Sequence, residues 1–168
     1  TRRSSDLTVK WWPHSNYQQV VARLTSRVLF VQVGRSCDYH PRLEGTLDFR
    51  GWTSIRTLMR LVYWSEGVLC PITSLMHLAA AVPRPPGRIG PRPCVVLGGG
   101  IEPPQWTAYP GHRFLTRVGS LPCADHGCWK ARTVSLGDGL PQDAPAHRCV
   151  MVDRDHPRCM TLIRSGEV

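Results

Sequence analysis

Three patterns of apolar and polar positions recur along the chain. Short apolar runs are closed by glycine or proline, other stretches place apolar residues at helical spacing, and polar connections are rich in Gly, Pro and Arg. Val28-Leu29-Phe30-Val31-Gln32-Val33-Gly34, Gly67-Val68-Leu69-Cys70-Pro71 and Cys94-Val95-Val96-Leu97 are runs of the first kind. Continuous apolar runs of this length bounded by breakers predict strands buried on both faces of a parallel sheet. Thr8 and Val9 fit a further short strand ahead of Lys10. Helical spacing fills the intervals. Ser15 caps a stretch with Tyr17, Val20, Val21 and Leu24, and Thr53 or Ser54 caps one with Ile55, Leu58, Met59, Leu61 and Val62. Thr73 and Ser74 open a third, Leu75 to Val82, which Pro83 stops. Residues 35–50 and 83–93 read as loops.

Strand, helix, strand, helix, strand requires right-handed crossovers. The expected fold class is therefore α/β, a small doubly wound sheet whose ligand would lie off the carboxyl ends of the strands. After Gly100 the periodicity fades, and Trp106, Tyr109, Phe114 and Leu115 are expected to form a last piece packed on the sheet. Gly98-Gly99-Gly100 follows a strand, but no Lys-Ser/Thr follows it and Pro103 and Pro104 prevent a helix from opening directly. It reads as a sharp turn or a close backbone approach rather than a phosphate cradle.

The last quarter lacks any long apolar run but holds Cys123, Cys128, Cys149 and Cys159 among Gly, Pro, Asp and His. The expected organisation is a nucleotide-binding unit over residues 1–119 and a four-cysteine metal finger with a C-terminal tail over residues 120–168. The spacing is Cys-x4-Cys, then 20 residues to Cys149, then nine to Cys159. No secretory signal precedes it, so metal ligands are favoured over disulfides. Four thiolates suit tetrahedral zinc or a single iron, and spacing does not choose between them. His126 and His156 are alternative ligands. Asp138, Asp143, Asp153 and Asp155 suit a soft site poorly and are expected to stay solvated. Such a metal would be closed off and structural. The other three cysteines, Cys37, Cys70 and Cys94, border apolar runs and are expected as buried thiols.

Composition narrows the partners. A chain of 168 residues with 42% hydrophobic content supports one core plus a small appendage. No apolar run approaches the roughly 20 residues of a membrane span. Thr1 to Asp6 carry neither an initiating Met nor the apolar stretch of a signal peptide, so a fragment or processed piece is expected. Net charge is +9, but Lys10 and Lys130 are the only lysines and the arginines are scattered. Phosphate-backbone affinity needs a clustered basic face, which disfavours nucleic acid.

Two features carry chemistry. Lys10, in Lys10-Trp11-Trp12-Pro13, can set a point charge on a phosphate near a strand end. In Pro71-Ile72-Thr73-Ser74-Leu75-Met76-His77, a strand ends, a hydroxyl pair follows and a small-residue helix begins. Open N–H groups and the positive end of the dipole make that start an anion site, with His77 near enough to meet a phosphate or sugar.

These stretches carry a resemblance. With Gly51-Trp52-Thr53-Ser54-Ile55-Arg56, Met76-His77-Leu78-Ala79-Ala80-Ala81, Trp106-Thr107-Ala108-Tyr109-Pro110-Gly111-His112 and Cys128-Trp129-Lys130, the chain resembles the C-terminal half of glycosyltransferase family 9. These are the ADP-heptose heptosyltransferases, and the similarity extends to their iron-containing autotransporter branch. The resemblance implies a Rossmann-like, donor-binding domain of a GT-B enzyme. It implies ADP-heptose as donor, with Lys10, Thr73, Ser74, Leu75, Met76 and His77 at the nucleotide-sugar. It also implies iron, with zinc as the alternative, on Cys123, Cys128, Cys149 and Cys159. An autotransporter-type protein acceptor, a cytoplasmic location and a separate N-terminal acceptor domain are further implications. That other domain carries the catalytic base, so no catalytic residue is assigned here and the isolated chain is expected to be inactive. The sequence departs from the family in Ile72-Thr73-Ser74, where relatives have Asp-Thr-Gly, and in Arg35-Ser36-Cys37, where many have an acidic residue. The alternative expectation is a non-catalytic metal-finger α/β module acting in nucleotide binding or assembly. Formation of a homo-oligomer is left open.

Overall fold

The structure, a computed structural model, describes residues 7–36 and 41–168. Cys37 and the first six residues lie outside the described residues. The chain is a mixed α/β fold built on small parallel sheets. Helix α1 (His14–Leu24) starts at Pro13 and leads to β1 (Phe30–Gln32), a shorter strand than the apolar run around it. β1 pairs in parallel with β2 (Thr46–Asp48), which lies inside the stretch expected as a loop. Three residues are too few to show a period, and β2 is specified by its partner. Helix α2 (Ile55–Trp64) is capped by Ser54, whose Oγ accepts from Thr57 N at 3.1 Å. Then come β3 (Val68–Pro71), α3 (Ser74–Ala81) and β4 (Cys94–Gly99). A short α4 (Pro104–Thr107) precedes β5 (His112–Thr116).

The five strands β1 to β5 form two sheets rather than the single expected one. β3, β4 and β5 lie side by side, all parallel, with β4 central, while β1 and β2 pair apart from them. The last piece, expected only to pack on the sheet, joins it as the edge strand β5.

Alternation along β4 assigns its two faces. Cys94 and Val96 point into a core with Val9, Cys70, Ile72, Met76, Ala79 and Ile101, the side covered by α3. Val95 and Leu97 point the other way, toward Trp12, Val20, Leu115 and Leu121. That second core also takes Cys159, Met160 and Ile163, from α5 (Arg158–Thr161) and the residues just after it. Both faces of the sheet are thus covered, as its continuous apolar strands require. The C-terminal stretch, which lacks an apolar run of its own, contributes single residues to the main core. Between Cys149 and α5, β6 (Val152–Asp153) and β7 (His156–Pro157) form an antiparallel hairpin that turns at Arg154, φ 56°.

The three glycines after Leu97 are places of close approach. A Cβ on Gly98 would overlap the Phe114 ring. One on Gly99 would sit 2.6 Å from Met160 Sδ, and one on Gly100 2.8 Å from Ala124 Cβ. The glycines let the C-terminal segment lie directly on the end of β4. Cys70 and Cys94 are buried free thiols, as expected. A mutual hydrogen bond, and then burial, push the Cys70 thiol up. Among the described residues no helix is long and apolar enough to cross a membrane.

Candidate functional site

Lys10 ends a 3-10 turn, Thr8–Lys10, rather than following a strand. The turn forms because both of its sides are held. Thr8 Oγ1 accepts from Thr133 N at 2.7 Å and Val9 N donates to Ala131 O at 3.3 Å, while the Val9 side chain enters the core under α3. Trp12 is buried and donates from Nε1 to Ile163 O at 2.8 Å, so the second tryptophan of the motif is a packing residue.

Anchored this way, the Lys10 side chain reaches the carboxyl end of β3. Its Nζ donates to Ile72 O at 2.8 Å, across 62 residues of chain. Burial lowers its pKa, and the nearby carboxylate of Glu102 opposes that shift. Ile72 immediately precedes Thr73, the N-cap of α3. The two caps differ in a useful way. Ser54 satisfies the first turn of α2, whereas Thr73 makes no side-chain cap bond and turns its hydroxyl back to Pro71 O at 3.4 Å. Met76 N donates to Thr73 O at 3.1 Å, and the Ser74 and Leu75 N–H groups are left for another acceptor. The structure thus brings Lys10 to the helix start that the sequence singled out.

The remaining candidates divide. Thr73, Ser74 and His77 are exposed, and Leu75 is half-buried against the core. The Met76 side chain is fully buried, which confines it to packing. His77 Nδ1 and the Tyr109 hydroxyl hydrogen-bond at 2.8 Å, with the rings edge to face, and Tyr109 in turn contacts His112. Both ring nitrogens of His112 are buried without a partner, and burial lowers its pKa. The sequence gives Glu102 no role and Tyr109 only a packing role. The one available signal is an acidic residue two positions after a glycine run at a strand end. Beyond β4 and β5 lies an open cavity of about 400 Å³ lined by Pro103, Pro104, Trp106, Val118, Asp125 and His126. Trp106 is stacked on Trp129 at its rim, with ring centroids 5.3 Å apart.

The four C-terminal cysteines gather beside the same strand end. Cys159 Sγ packs on Gly99 and Gly100, Cys128 N donates to Ile101 O at 2.9 Å, and Cys149 N donates to Arg132 O at 2.6 Å. Burial pushes the Cys159 thiol up, and negative charge on Cys149, Cys128 and Cys123 would push it further. Cys149 is raised in the same way, by burial first and then by Cys128 and Cys123. Cys123 and Cys128 thus act on both Cys149 and Cys159, and none of the four is in a disulfide. As placed, however, no group of three or more His, Cys, Asp or Glu among the described residues could hold a metal ion. His126 lines the cavity and His156 lies in β7.

Asp138 is exposed as expected and Asp143 is half-buried, and both are tied to a buried arginine. The Arg132 side chain is 0% exposed, with Nη1 donating to Asp143 at 2.5 Å and Nη2 to Asp138 at 2.7 Å. Asp143 also accepts from Leu136 N, Gly137 N and Ser135 Oγ. A buried guanidinium needs these carboxylates to compensate its charge. Bonds from Leu136 N and then Arg132 hold Asp143 well below the usual carboxylate range, and Arg132 lowers Asp138. A depressed pKa contributes stability above the ordinary carboxylate value that is lost as pH falls through the folded value. Residues 131–149 are therefore expected to lose hydrogen-exchange protection below about pH 4. Asp143→Asn should remove that protection at neutral pH as well, and an unchanged profile would refute the role.

No family model, curated protein or solved structure matches this chain.

Proposed function

We propose that this chain is the donor-binding unit of a nucleotide-sugar-dependent glycosyltransferase, a Rossmann-like half of a GT-B enzyme that takes an ADP-heptose-like donor. One observation carries the reading. Lys10 Nζ stands at Ile72 O, at the mouth of a helix whose cap leaves its first N–H groups open. A fixed ammonium beside a positive helix end favours a diphosphate. It also lies at the carboxyl end of a parallel sheet, where open α/β folds take ligands.

Sugar transfer breaks the bond between the anomeric carbon and a diphosphate oxygen, and negative charge grows on the departing diphosphate. Lys10 and the Ser74 and Leu75 N–H groups would stabilise that charge. Thr73, Ser74 and His77 are the side chains open to the donor. The proton of the acceptor hydroxyl must be taken by a base outside this chain, so the unit binds donor without turnover. Cys123, Cys128, Cys149 and Cys159 fit a tetrathiolate metal, iron on the family resemblance or zinc on donor chemistry alone. Such a metal would supply cross-links and no catalysis.

Isothermal titration with ADP tests the reading. Millimolar or tighter binding is expected, weakened at least tenfold by Lys10→Ala. Affinity should fall as pH rises through the lowered Lys10 pKa, because only the ammonium attracts phosphate. Absence of ADP binding, or ADP binding indifferent to Lys10→Ala, refutes it.

A further inference from the structure

We propose that the outer face of α2 seats the protein on an anionic lipid surface. This rests on no part of the donor-binding reading. In α2, Leu58, Leu61 and Val62 face inward, and the opposite half of the helix is open. That half has two stripes at helical spacing, Ile55-Met59 and Arg56-Arg60-Trp64, with Trp52 just ahead of the first turn. The apolar members are large and exposed: Trp52 83%, Trp64 72%, Ile55 63% and Met59 43%. A patch of this kind on one short helix marks an interaction surface.

Charge selects the occupant. α2 has no acidic residue, and neither Arg56 nor Arg60 has an ion-pair or hydrogen-bond partner among the described residues. Glu66, just past the helix, is held by Arg84 and Arg88. The face is therefore positive and apolar together, so its complement is negative and apolar. A second copy would set Arg56 and Arg60 against the same arginines in a two-fold contact, with no carboxylate between them. Single-stranded nucleic acid stacks on aromatic rings and has no use for the aliphatic stripe between the tryptophans. An anionic membrane uses all three parts. Aliphatic residues enter the acyl boundary, tryptophans sit at headgroup level, and arginines meet lipid phosphates. The helix would lie in the interface plane, consistent with its length of 10 residues.

Co-sedimentation of the full chain with phosphatidylcholine vesicles, with and without phosphatidylglycerol, tests this. Binding is expected only to the anionic vesicles, weakening with salt and shifting tryptophan emission to the blue. Arg56→Glu with Arg60→Glu should weaken partitioning by more than tenfold, from about fivefold for each arginine lost. Trp52→Ser with Trp64→Ser should abolish the emission shift. Arg27→Glu with Arg113→Glu makes the same change in net charge at exposed positions elsewhere, and should leave most binding intact. Circular dichroism of each variant checks that the fold is kept. Three results overturn the proposal: no anionic vesicle binding, equal losses from the two arginine pairs, or tighter α2-dependent binding to a single-stranded oligonucleotide than to vesicles.

Discussion

Replacing Arg92 by alanine is expected to cost about 3–5 kcal/mol of stability and to lower the melting temperature by roughly 10 °C. Arg92 is 2% exposed, yet no carboxylate among the described residues pairs with it. Its guanidinium is surrounded by main-chain carbonyls instead. Nη1 donates to Ala79 O at 3.1 Å and Val82 O at 2.8 Å, and Nη2 to Tyr63 O at 3.2 Å and Pro83 O at 3.1 Å. Nε is 3.4 Å from Ser65 O. These oxygens belong to the last turns of α2 and α3 and the residues after them, where helices leave their carbonyls unsatisfied. A cation there also meets the negative ends of both dipoles. Burial lowers the Arg92 pKa, with Arg84 adding to the effect. The carbonyl ring and the two dipoles are what keep the charge inside.

Thermal unfolding of three variants separates bonding from packing. Arg92→Met keeps most of the volume and none of the donors, so it should be nearly as damaging as alanine. Arg92→Lys keeps the charge but cannot reach both helix ends with one ammonium, and should lie between. A methionine variant as stable as the parent would show that the fork of hydrogen bonds contributes little.

Arg92 also illustrates what the sequence could and could not reveal. α2, β3, α3 and β4 were readable because each has a period, a cap or a breaker that acts locally. Residues 83–93 read as a Pro-, Arg- and Gly-rich loop, which they are, but nothing local marks Arg92 apart from Arg84 or Arg88. Its burial is decided by two helix ends arriving from elsewhere in the chain. The same holds for Arg132, whose bonds to two aspartates are set by the folded loop and by no local signal. Lys10 is readable as a candidate because the chain has so few lysines, although Thr8 and Val9, which suit a strand locally, form a 3-10 turn with it. That turn is set by contacts with Ala131 and Thr133, at the far end of the chain. Glu102 is placed beside Lys10 by the glycine turn after β4, so neither residue's own neighbourhood in sequence announces the pair.

Metal removal should have the largest effect, if the four thiols close on one ion as proposed. The protein as purified is expected to hold one metal per chain by elemental analysis, with visible absorption for a ferric tetrathiolate and none for zinc. Chelation, or Cys128→Ser, should then cost on the order of 5 kcal/mol or more, since structural metal binding feeds directly into folding free energy. The damage should not stay within the cysteine segment. Cys159 shares the second core with Trp12, Val20, Leu97 and Leu115, and its neighbours Met160 and Ile163 are both 0% exposed there. Trp12 is bonded to Ile163 O and packs edge-on against Tyr17 of α1. Hydrogen exchange should therefore rise in residues 120–163 and in α1 together. β3 and α3, packed in the other core, should keep more of their protection. Cys70→Ser serves as the control, the loss of a thiol that is not one of the four, and should leave metal content unchanged. Metal-free protein with full stability, or chelation that leaves exchange in α1 unaltered, would mean that apolar packing alone holds the C-terminal segment on the sheet.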